Sequence, residues 1–390
     1  MFFTGMATLA VGSLWWAVEI LGRYAQLFVL PAPALPPLFA HSWLMLYALF
    51  PAFMAGFLYT AAPRWLATPE ITRPVYLTTA FGFIGGVALF AAGLYLGHAW
   101  LIAGTVVLGL GWSSLWVTLL RMLLAAQRPV AHGIAIAIAL GVGCAGLAVF
   151  GWGITRYDGM MMHLAVRVGL WGVLVPVFYT VGHRMLPFFA ESAVGNYTVR
   201  RPLWLLIAVL TLCYLRLALG VAGWLRTLAV VDAALCCVTF YGGILWQPWK
   251  ALSPALLGTL FLAYFWLPLA LLLQTIRDLG YVLTGDWWLG RAAIHALGMG
   301  FMAGLLVAMV TRVTLGHAGR ALVMNKALLG CFALVQAAAL TRVLAEIAGP
   351  GDRLAGALTM SLVLWLAGML AWIVLLTPIY LRPRIDGRPG

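Results

Sequence analysis

The sequence predicts an all-α membrane protein: twelve transmembrane helices in a single bundle, 1–390 forming one polytopic domain, with both termini cytoplasmic. Composition, the recurrence of spanning-length apolar runs, and the charge of the breaks predict it. Of 390 residues, 64% are hydrophobic and 8% charged. The mean hydropathy of +1.04 lies beyond soluble globular domains and within the range of polytopic membrane proteins. Apolar runs near the spanning length of about 20 residues fall at 5–29, 38–62, 74–97, 99–122, 131–153, 161–186, 202–221, 225–247, 252–275, 289–313, 321–345 and 356–380.

The first run, from MFFTGMATLAVGSLWW, lacks a basic leader and a small-residue cleavage site, so it reads as a retained helix. The second follows PAPALPP at 31–37. Pro63, Pro74, Gly97, Pro129, Pro187, Pro202, Pro254 and GPGD at 349–352 punctuate the rest. Gly82, Gly86, Gly298 and Gly304 suit close helix contact. The connections are short, so function must reside among the helices.

Net charge is +13, placed in loops and at helix ends. Leaving Arg23 aside, the odd-numbered breaks hold eight basic residues (Arg156, Arg167, Arg216, Arg226, Arg277, Arg291, Arg342, Arg353), and the opposite face holds the other fourteen. Asp158, Asp278, Asp286 and Asp352 also fall on the first face, which the positive-inside rule makes external. This is the pattern of a bacterial inner-membrane protein against anionic lipid, and it points to no nucleic-acid partner. The five cysteines include no CxxC or CxxCH, which argues against zinc ribbons, iron–sulfur clusters and covalent haem.

The seven histidines sort by depth. His41 and His163 open the second and sixth segments and His295 lies about two turns into the tenth, all toward the outer face, where three imidazoles at one level form a candidate metal layer. His98 falls in an outer break, while His132, His183 and His317 fall at cytoplasmic ends, positions usual for interfacial histidines. Carboxylates are nearly absent from the spans (Glu19 and Asp232), so an outer histidine has no obvious proton-relay partner. Neutral imidazole suits b-type haem iron instead, because it brings no charge into the layer.

Haem requires a flat slot, apolar walls and cations for its propionates. Gly298 and Gly300 follow His295, and Met299 and Met302 share its face at α-helical spacing, reading either as core packing or as haem wall. Arg167 lies one turn from His163 and Arg291 one turn from His295, each an interfacial cation or a propionate partner. Arg23 follows Glu19 at i,i+4, either as a self-satisfied pair or as a further propionate partner.

These motifs resemble the NnrS family of twelve-helix bacterial membrane proteins, linked to nitric oxide stress and described as holding haem and copper. His41-Ser-Trp-Leu-Met45 with AGFLYTAAPRW at 55–65 is similar to the family's HxHEM…AGFLLTAVPNW. LVPVFYTVGHRMLPFF at 174–189 resembles LPVF…HRMIPFF, and His295-Ala-Leu-Gly with TRVTLGHAGRAL at 311–322 resembles HALTVGAIG…ARVSLGHTGRPL. The three motifs occur in order along almost the whole chain. The resemblance implies haem with His41 and His295 as ligands; read with the outer layer of histidines, this gives a b-type haem that binds nitric oxide, with His163 as alternative ligand or distal group. Where the family carries candidate copper ligands this chain has Trp43, Leu44 and Phe261, which disfavours copper, since copper prefers at least three imidazole or thiolate donors.

The layout is also similar to the haem–copper oxidase subunit, but the paired histidines of helix 7 and the histidine–tyrosine spacing of helix 6 are missing. A secondary transporter is the alternative from another class, and it would need a midplane polar site that the spans do not advertise. An assembly protein without cofactor is the third reading. Enzyme, sensor and buffer are all compatible with the sequence, which names no electron donor and leaves open whether His132, His183 and His317 hold a second metal.

Overall fold

A computed structural model describes residues 1–128, 131–349 and 353–385. Pro129, the Pro350-Gly351-Asp352 part of the GPGD break and Arg388 lie outside them. Twelve helices are long and apolar enough to cross a membrane, and no strand occurs among the described residues. The chain is a multi-pass membrane protein. Its helices are α1 (Phe2–Glu19, continuing as Ile20–Tyr24), α2 (Pro37–Leu66), α3 (Arg73–Leu96), α4 (His98–Leu124), α5 (Ala131–Arg156), α6 (Gly159–Ala193), α7 (Leu203–Ala222), α8 (Leu225–Leu245), α9 (Ala255–Thr284), α10 (Ala292–His317), α11 (Lys326–Ile347) and α12 (Arg353–Tyr380).

The chain divides into two compact units, Met1–Glu19 with Phe28–Thr180, and Ile20–Leu27 with Val181–Gly390. In the first unit, small residues allow backbones to meet, which is how helices associate where lipid removes the hydrophobic drive. A Cβ at Gly86 would lie 2.7 Å from Leu108 N, and one at Gly104 would lie 2.5 Å from Phe90 N, so α3 and α4 touch main chain to main chain. Trp116 Nε1 donates to Ala137 O at 2.9 Å and joins α4 to α5. Asp158 caps α6 by accepting from Met160 N and Met161 N.

The second unit relies more on buried polar bonds. Arg216 of α7 donates through Nε to Asp232 of α8 at 2.5 Å. Tyr264 Oη donates to Thr239 O at 2.7 Å and joins α9 to α8. Trp266 Nε1 donates to Gln336 Oε1 at 2.7 Å, tying α9 to α11, and Trp372 Nε1 donates to Thr311 Oγ1 at 2.9 Å, tying α12 to α10.

Several expectations are corrected. Pro63 and Pro187 lie inside helices, because a membrane helix absorbs the loss of one backbone donor where neighbours support it. α2 instead stops at Ala67, whose φ of 53° turns its N–H back to Pro63 O. Asp278, expected in a loop, is a buried residue of the 30-residue α9; it accepts from Gln274 Nε2 at 2.9 Å and pairs with Arg277 at 3.2 Å. Arg216 is likewise a buried span residue, 7% exposed.

Candidate functional site

Four helical stretches leave the α pattern for π geometry: Ile20–Tyr24, Leu44–Leu49, Val168–Leu174 and Ala296–Ala303. A π turn bonds i to i+5, inserts a residue relative to the α register, and recurs at functional sites. All four coincide with candidate residues. Arg23 lies within the first, the second begins three residues after His41, the third directly follows Arg167, and the fourth directly follows His295.

In the first unit the His41 ring stacks on Trp16 of α1, with centroids 4.1 Å apart and planes at 22°. Its Nδ1 is shielded from solvent, so the imidazole is held in a fixed, largely apolar setting. Two residues earlier, Phe39 meets the His163 ring edge-on at 4.8 Å. His163 and Arg167, one turn apart on α6, are both exposed.

Tyr47, in the π segment of α2, joins α2 to α6 just before the π segment of α6. Its hydroxyl donates to Ala165 O at 2.6 Å, between His163 and Arg167 in sequence, and its own carbonyl accepts from Trp112 Nε1 at 2.8 Å. Gly146 and Gly169 leave room for that ring: a Cβ at either would lie 2.5 Å from Tyr47 Oη or 3.1 Å from its Cζ.

In the second unit His295 is half-buried, and its Nδ1 lies 2.9 Å from Arg291 O. A proton on Nδ1, donated to that carbonyl, leaves the lone pair on Nε2, the tautomer a metal-ligating imidazole needs. The start of α10 is in turn held by Glu346 of α11, which accepts from Arg291 N at 2.8 Å and pairs with Arg342 at 2.6 Å. The Arg291 side chain is exposed, as is that of Arg23.

The π register redistributes the residues after His295. Met302 is fully buried and Met299 half-buried, so the shared face expected from α-helical spacing does not carry over unchanged through a π stretch. Gly300 is not an open slot, because a Cβ there would run into the Trp266 ring, whereas Gly298 has nothing within 4 Å of where its Cβ would be.

The positions aligned with the family's copper donors are filled by packing. Trp43 stacks on Phe90 at 3.7 Å with planes 2° apart, while Leu44 and Phe261 are each 1% exposed. Among the described residues no group of three His, Cys, Asp or Glu side chains gathers to hold a metal ion. His183 is buried with Nε2 3.3 Å from Pro202 O and its ring against the edge of Trp246, and His98 packs on Tyr157 at 4.4 Å.

Sequence reading missed Trp16, Tyr47 and Trp112, and all four π segments. A 3.6-residue period contains no mark for an inserted residue. An aromatic residue's partner on another helix has no sequence signal when only one chain is read. The glycines facing Tyr47 were the one available hint.

The family model described as "NnrS protein" matches residues 1–384, nearly the full chain. No curated protein matches it significantly.

Proposed function

Because the chain belongs to the NnrS family, we propose that it is a haem-binding protein of the bacterial inner membrane, termini cytoplasmic, acting in the response to nitric oxide. His41 and His295 are its imidazole ligands, and His163 is an alternative ligand or distal group. Arg167, Arg291 and Arg23 are cations for the propionates, and Met299 is a wall contact. The haem iron, when bound, supplies the site at which an uncharged gas is taken up.

The observation that carries this reading is the hydrogen bond from the His295 ring to Arg291 O directly before a π segment. It fixes the neutral tautomer and aims Nε2 as a donor. Three further features support it. His41 is clamped by Trp16. Gly298 leaves open space beside the ring-bearing turn. Arg291 and Arg167 keep exposed guanidinium groups one turn from a histidine. A haem asks for one or two imidazoles, fewer donors than copper requires, and the filled positions at Trp43, Leu44 and Phe261 favour haem alone. Nitric oxide dissolves in lipid, so spans poor in charge suit its delivery without a hydrophilic channel.

The test is optical. Purified protein, or protein reconstituted with haemin, is expected to show a Soret band that shifts on adding nitric oxide. His295→Ala and His41→Ala are expected to lose most of that absorbance, while His98→Ala keeps it. Protein that folds but never acquires a Soret band would overturn the proposal. The transporter alternative draws on the buried Arg216–Asp232 and Asp278 groups, and uptake of a charged solute into proteoliposomes without haem would favour it.

A further inference from the structure

Arg312 lies five residues before the end of α10 at His317, roughly 8 Å of helix rise. It is 7% exposed. Its guanidinium rests over the Phe189 ring at 4.2 Å from the centroid, and Nη2 donates to Ser192 Oγ at 3.3 Å. Neither partner carries charge. Among the described residues no carboxylate pairs with it; Glu191, adjacent to Ser192, is exposed.

The surroundings do not neutralise it either. Thr311 and Thr314 on the same turns are occupied by Trp372 Nε1 and Tyr380 Oη. In the turn that closes α10, Arg320 Nε is shielded from solvent and has no hydrogen-bond partner among the described residues.

A buried cation is normally paired, because removing it from water unpaired costs several kcal/mol or more, by rough estimate. Phe189 and Ser192, which it touches, supply no negative charge, and the next arginine of the chain, Arg320, follows eight residues on, just past the helix end. An arginine fork matches a tetrahedral oxyanion through parallel N–H donors. Basic pockets between membrane helices near a leaflet surface are of the kind that hold phosphate head groups.

We propose that Arg312, with Ser192 and Arg320, forms a binding site for a phosphate-bearing anion at the α10 end marked by His317, the phosphate coming from a phospholipid head group or from free phosphate. The site involves none of the haem candidates, so its test is separable from theirs.

The experiment compares melting temperatures of the purified full chain in nanodiscs of phosphatidylglycerol and of digalactosyldiacylglycerol, a lipid without phosphate, and in maltoside detergent titrated with inorganic phosphate against chloride at equal ionic strength. Wild type is expected to melt higher with phosphatidylglycerol than with galactolipid. A rise with inorganic phosphate that phosphatidylglycerol does not extend assigns the site to the free anion; no response to inorganic phosphate assigns it to the lipid. In either case Arg312→Gln is expected to abolish the difference and Arg320→Gln to reduce it, while Arg121→Gln, at an exposed helix end, preserves it.

Arg312→Gln is also expected to keep the wild-type haem absorbance. Losing it with the lipid response intact would assign the guanidinium to haem and overturn the proposal. Should Arg312→Gln fail to fold, native mass spectrometry of delipidated wild type decides. A retained phospholipid or phosphate adduct, weakened in Ser192→Ala, supports the site. Its absence, together with no phosphate-dependent stabilisation, overturns it.

Discussion

Within the first unit, the α3–α4 pair and the pairing of α2 with the first part of α6, residues 159–180, are held in opposite ways. α3 and α4 are unbroken α-helices whose glycines bring main chain against main chain, with Gly82 facing Gly111 and Gly86 facing Leu108. α2 and α6 each carry a π segment, and they are joined by a tyrosine that spends its hydroxyl on Ala165 O and its carbonyl on Trp112. The first arrangement is economical and inert. The second gives up regular helix bonding to set side chains at chosen angles, and it lies where the histidines are. Departure from the regular helix, more than polarity, separates the candidate site from the scaffold.

The sharpest way to break this contrast is Gly104→Ala. A Cβ there would press on Phe90 N at 2.5 Å and Gly86 O at 2.8 Å, both backbone atoms that cannot rotate away. A loss of about 3 kcal/mol is expected, at the upper end of the usual cost of overpacking. Thermal or SDS-induced unfolding in detergent would measure it. The haem absorbance per folded molecule should be unchanged; a haem defect at wild-type stability would mean that scaffold and site are not separate.

Next in size is Tyr47→Phe, which keeps the ring and removes the bond to Ala165 O. The buried carbonyl loses its side-chain donor, for a cost of about 1 kcal/mol. Since Ala165 lies between His163 and Arg167, the substitution should also alter the haem spectrum or ligand-binding rate, which a purely packing tyrosine would leave alone. An unchanged spectrum would reduce Tyr47 to scaffold.

The parts legible in the sequence and the parts that were not divide along the same line. The twelve spans could be read because burial in lipid demands about 20 apolar residues regardless of partners, and Pro74, Pro202 and Pro254 stand at helix starts as expected. Gly82 and Gly86 could be read as contact residues because a close approach leaves glycine little competition. Asp278 was misplaced because hydropathy ends a span at the first charges, whereas here one oxygen of the carboxylate is met within the helix by Gln274 and Arg277. The histidines could be singled out by type and depth. Their orientation could not, since it depends on Trp16 for His41 and on the Arg291 carbonyl for His295.

Gly298 and Gly300 sharpen the comparison at its smallest scale. Both follow His295 inside one π segment, yet Gly300 is pressed by Trp266 while Gly298 faces open space. Alanine at 298 meets no atom, and exchanging glycine for alanine inside a helix gains up to about 1 kcal/mol, so Gly298→Ala is expected to leave the melting temperature unchanged or slightly raised. If the space beside Gly298 is where a porphyrin lies, Gly298→Leu should fold normally yet bind haemin more weakly, by titration of the Soret band. Equal haemin affinity in wild type and Gly298→Leu would move the macrocycle away from this face of α10 and leave His295 without the wall that the present reading gives it.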